Sequence, residues 1–97
     1  MDKALDNENM IDCIFDDFAK ELDKADEKYG PMPGIKDGLH TLMIEVAELR
    51  REVETENFNP LALRKEAIQV GAMATKFMRD VVAHLIAEID DVENTAA

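Results

Sequence analysis

The sequence predicts an all-α fold, a helical bundle of three to four helices per chain that is completed by oligomerisation. Apolar residues recur at helical spacing through most of the chain. Gly and Pro are confined to a few places, which act as breaks. No segment alternates apolar and polar residues with the period of a strand. The 97 residues fit a single domain, 1–97. A core of that size is marginal when it stands alone, so further copies of the chain are expected to cover what one copy leaves bare.

Residues 1–8 are polar and are expected to be flexible. The first helix should begin at about Asn9, because Ile11, Ile14, Phe15, Phe18, Leu22 and Ala25 follow the i, i+3, i+4, i+7 pattern. It should end near Tyr29-Gly30, where Gly30-Pro31-Met32-Pro33-Gly34 forbids continuation. A second helix should begin near Asp37, a suitable N-cap, and end near Thr55. Its apolar stripe is Leu39, Leu42, Met43, Val46, Leu49 and Val53. Arg50 falls inside that stripe, where one chain alone gives it no partner. Asn59 suits an N-cap and Pro60 the first helical position. Helical character then runs to about Asp91, with a break expected near Arg79-Asp80 that yields a fourth helix. Val70, Ala74, Phe77, Met78, Val81, Val82, Leu85 and Ile89 cover about half the circumference. A helix this widely apolar needs more than one neighbour. Residues 93–97 read as a flexible tail.

Eleven Lys plus Arg stand against 22 Asp plus Glu, a formal net charge of −11. Non-specific binding to nucleic acid draws its affinity from cationic contacts to phosphate, so the charge balance argues against it. A nucleotide substrate is not, because a bound metal ion reverses the local potential. The single cysteine, Cys13, offers no internal disulfide and no Cys-based zinc site. The first residues carry no apolar leader segment, and no apolar run approaches the roughly 18 residues of a membrane span. A soluble cytoplasmic protein without a membrane partner is the expectation.

Glu45 and Glu48 form an E-x-x-E pair on the second helix, and Glu66 and Gln69 form an E-x-x-Q pair on the third. Positions i and i+3 share one helix face. Two such helices side by side would aim three carboxylates and an amide oxygen at one cleft. Oxygen ligands of this kind suit Mg²⁺ or Mn²⁺, and a divalent ion in an acidic cleft points to chemistry on phosphates. Glu52 flanks the first pair. On the third helix Glu66, Gln69, Met73, Lys76, Asp80 and His84 share one stripe. Lys76 is the candidate phosphate contact on it, with Asp80 as a second substrate-side group; the same two residues, at i and i+4, can equally pair with each other. Tyr29, the only tyrosine, reads first as a loop anchor, with stacking on a base as the alternative. The chain has no G-x-x-x-x-G-K-[ST] or G-x-G-x-x-G phosphate loop, no H-E-x-x-H zinc motif and no G-x-S-x-G elbow.

The stretch from Lys28-Tyr29-Gly30 through Gly38-Leu-His-Thr-Leu-Met-Ile-Glu-Val-Ala-Glu-Leu49 to Lys65-Glu-Ala-Ile-Gln-Val-Gly-Ala-Met-Ala74 resembles the MazG-like, all-α nucleoside triphosphate pyrophosphohydrolases. The resemblance covers roughly residues 28–80. It implies that Glu45, Glu48 and Glu66 bind Mg²⁺, that water attacks a bound NTP or dNTP to release pyrophosphate and a nucleoside monophosphate, and that the chain forms a homodimer or homotetramer. One carboxylate, Glu48 or Glu52, would orient the attacking water. The family carries E-x-x-D where this chain has Glu66 and Gln69. An amide oxygen can ligate a hard cation but brings no charge, and Glu52 or Asp80 is a candidate for the missing one. A catalytically weak or inactive module that binds nucleotide or metal, or meets a protein partner, is the alternative that Gln69 raises.

Overall fold

The computed structural model describes the backbone of residues 7–96 and the side chains of residues 7–90. The described residues form four α-helices and no strand: α1 Asn7–Tyr29, α2 Ile35–Glu54, α3 Pro60–Phe77 and α4 Ala83–Ala96. A π-helical turn, Met78–Val82, joins α3 to α4. It falls where the sequence places a break. Helix α4 continues to Ala96, past the point where the sequence reads as a tail. The expectation for residues 1–6 and 97 lies outside the described residues.

The ends of the helices follow local chemistry. Gly30 closes α1 with a left-handed φ of 70°, and its N–H donates to Asp26 O at 3.0 Å. At the start of α3 the Asn59 side chain accepts from Leu61 N at 2.9 Å, and Pro60 takes the first helical position. Helix α2 starts at Ile35, two residues before the expected cap. Asp37 therefore lies in the first turn, where its charge complements the helix dipole. Arg50 pairs with Glu54 one turn on at 2.9 Å, so its partner was in the chain all along.

Helix α3 is the middle of the bundle, packed against α2 on one side and α1 on the other, while α1 and α2 do not pack on each other. Two glycines let the helices come close. A methyl group on Gly71 of α3 would overlap the Phe18 ring of α1, and one on Gly38 of α2 would overlap the Phe77 ring of α3. The core is thin: Ala25, Met32, Ile68, Ala72, Met73 and Val81 are buried, with Leu22, Leu42 and Phe77 packed against most of them.

Charges add a second tie. Lys76, 2 % exposed, places Nζ 2.6 Å from Asp26 Oδ1 of α1 and 3.0 Å from Asp80 Oδ2. Arg79 reaches the same two carboxylates at 2.7 Å each. Asp80 also accepts from Met32 N at 3.1 Å. The π turn thus carries Arg79 and Asp80 onto α1 and the α1–α2 loop. Burial pushes Lys76 down, but the hydrogen bonds it donates to Asp26 and Asp80 outweigh it and leave its pKa raised. The Arg79 guanidinium, with Met32 N and Lys76 behind it, holds Asp80 far below the usual carboxylate range against its own desolvation.

The molecule is elongated. Its radius of gyration is 16.9 Å, against about 13 Å for a compact domain of roughly this length. Among the described residues helix α4 packs on the π turn alone, so it leaves the bundle with Leu85, Ile86 and Ile89 exposed. Leu39, Met43, Val46 and Val53 are likewise exposed along α2.

Candidate metal centre

Glu45 and Glu48 leave α2 one turn apart, and Glu66 leaves α3 opposite them. Each offers one carboxylate oxygen, and the three oxygens lie within 4.8 Å of one another. All three residues are half-buried. Among the described residues this is the one group of three or more His, Cys, Asp or Glu side chains placed to hold a metal ion.

Like charges at this separation repel, and partial burial adds desolvation. Both push the Glu45 carboxyl up, desolvation first and then Glu48, with Glu66 and Glu21 contributing further. Glu66 Oε2 is buried and has no hydrogen-bond partner. Buried carboxylate oxygens are nearly always satisfied, so an unpartnered one on a member of this cluster fits a cation better than it fits a solvated helix face. The donor set is all oxygen, which suits Mg²⁺ or Mn²⁺ and not a thiolate-seeking metal.

Gln69 sits one turn from Glu66 and donates from Nε2 to Glu21 Oε2 at 2.7 Å. With its N–H₂ held by Glu21, its Oε1 is left to accept. Glu21 is therefore a fourth carboxylate at the edge of the site, and it comes from α1. Sequence reasoning missed it: α1 carries many acids, and only the α1–α3 packing selects this one. The other expected residues are placed as follows. Glu52 lies at the end of α2, outside the cluster, and its Oε1 accepts from Asn59 N at 3.4 Å. Asp80 and Lys76 are tied into the network with Asp26 and Arg79. Lys76 also lines a cavity together with Glu45.

Two cations unassigned by the sequence also share a cavity with the carboxylates. Lys24 and Lys28 of α1 line a second cavity together with Glu21, Glu45 and Gln69. They are one helical turn apart, so α1 presents both on one edge. Known protein families, curated proteins and solved structures yield no match to the chain.

Proposed function

We propose that the chain is a Mg²⁺-dependent nucleoside triphosphate pyrophosphohydrolase, converting an NTP or dNTP to the monophosphate and pyrophosphate. The observation that carries it is the triad of Glu45, Glu48 and Glu66 with the buried, unpartnered Glu66 Oε2. The substrate class rests on the MazG-like pattern of the sequence. Glu45, Glu48 and Glu66 would hold the metal, with Gln69 Oε1 as an uncharged fourth oxygen. Mg²⁺ supplies Lewis acidity and a template for the phosphates. Glu48 orients the attacking water, which adds to the α-phosphorus as the bond to the bridging oxygen breaks and pyrophosphate leaves. Lys76 is buried between two carboxylates, so the phosphate contact falls to the exposed Lys28 and to Lys24, which lies 3.4 Å from Glu21 but is largely exposed.

The test is pyrophosphate release from a panel of NTPs and dNTPs with Mg²⁺ or Mn²⁺. Metal-dependent release is expected from at least one member. A folded protein that releases none from any member overturns the enzyme. The uncharged Gln69, held by Glu21, favours a second reading in which nucleotide or metal binds without turnover. Stabilisation of the fold by Mg²⁺ with no pyrophosphate release is its signature.

We extend the proposal to a homodimer or homotetramer, on the exposed apolar residues of α2 and α4. Sedimentation should give a multiple of 10.9 kDa; a monomer at all concentrations removes this extension.

A further inference from the structure

Tyr29 and Glu45 form a shared wall between two cavities. One, about 290 Å³, is the charged cavity with Lys24 and Lys28 on its α1 side. The other, about 340 Å³, is lined on the loop side by Pro31, Met32 and Pro33, with Ile44 of α2 facing them. The left-handed turn at Gly30 folds the Pro-rich loop back beside the Tyr29 ring. That ring is 71 % exposed, and Lys28 Nζ lies 5.1 Å from its centroid. A loop anchor would be covered by its own chain. Tyr29 instead stands open at the mouth of an apolar cavity, one residue from a cation and across from a candidate metal ligand.

Resting on the metal reading above, we infer that the two cavities take the two ends of one ligand, the polyphosphate along Lys24 and Lys28 and the nucleobase in the loop cavity against Tyr29. The charges agree with that direction: the exposed cations Lys24 and Lys28 line the cavity shared with Glu21 and Glu45, while the loop cavity is mostly apolar and its one cation, Lys76, is already held by Asp26 and Asp80. A mostly apolar cavity with a few polar groups at its edge is the usual form of a small-molecule site, and an aromatic face accepts any base by stacking. The ligand class is a purine or pyrimidine nucleotide bearing a metal-bound polyphosphate.

The chain has one tyrosine, so its ring-proton resonances report on this position alone. The protein is titrated with Mg²⁺ and a non-hydrolysable α,β-imido nucleoside triphosphate, and in parallel with Mg²⁺ and inorganic triphosphate. Both probes are expected to raise Tm, and only the nucleotide should shift the Tyr29 ring upfield. Tyr29→Ala should weaken the nucleotide roughly tenfold and leave triphosphate unchanged, whereas Lys24→Ala with Lys28→Ala should weaken both. A Tm rise with both probes but an unmoved Tyr29 ring, or a Tyr29→Ala variant with full nucleotide affinity, overturns the base cavity and leaves the metal centre standing. No Tm response to Mg²⁺ with either probe overturns the metal reading and this inference together.

Discussion

Glu45→Ala should eliminate metal-dependent pyrophosphate release while leaving the fold intact or slightly more stable. Even groups outside a metal's own shell are worth about 10–100-fold, so losing a direct carboxylate should cost more than roughly 100-fold. Stability runs the other way. The Glu45 carboxyl is raised by desolvation and by Glu48, so the folded state disfavours its anion. Its contribution to stability is full below the ordinary Glu pKa of about 4.3 and is lost as pH rises through the raised folded value. Removing the carboxyl therefore costs nothing at neutral pH without metal, and the comparison with wild type should narrow or reverse towards about pH 4. Turnover and metal-free melting of the two proteins at both pH values are the measurement. Turnover at the wild-type rate would sink the metal centre; a large fall in Tm at neutral pH would assign Glu45 to the fold instead.

Asp80→Ala should be the most destabilising single change outside the apolar core. It removes the carboxylate beside Lys76 and Arg79 and bares Met32 N. Lys76 would remain buried with only Asp26, itself partly exposed. Breaking one side of a buried pair costs about 3–5 kcal/mol, a large share of the roughly 5–15 kcal/mol that holds a domain together. Asp80 and Asp26 are both held below the ordinary range. Their contributions are full above the ordinary Asp pKa of about 3.9 and are lost as pH falls through the lowered folded values. Urea unfolding of the wild type should weaken as pH drops below about 4, and Asp80→Ala should weaken less over the same range. Equal stability of the two proteins at neutral pH would show that the network is ornamental.

Local chemistry was legible where it is written in adjacent residues. Asn59-Pro60 announces its cap, Gly30 its stop, and the i, i+3 spacing of Glu45 and Glu48 brings both carboxylates to one face before any packing is known. Asp37 misled because a good cap residue also serves inside the first turn, and the chain begins α2 at Ile35. The i, i+4 spacing of Lys76 and Asp80 shows a pair but not its burial, which depends on α1. Asp26, Glu21 and the α1 lysines were illegible for the same reason: many acids and cations repeat along α1, and only its packing against α3 chooses among them. The π turn carries Arg79 and Asp80, which bind Asp26 of α1 and Met32, contacts that helical periodicity does not encode.

The central position of α3 also sets the order in which the chain can assemble. Helices α2 and α3 are joined by the short turn 55–59, so their packing closes a small loop. The bridges from α1 to α3 and the π turn span 47 to 53 residues, a costlier closure. The backbones of α1 and α2 do not approach each other closely, so little holds α1 when α3 lets go. Of the three packed helices it is therefore the first expected to detach in native-state fluctuations. Glu21, Lys24, Lys28 and Tyr29 would leave with it. A ligand that touches α1 must then slow the hydrogen exchange of its amides more than those of α2, linking occupancy of the site to the docking of a single helix.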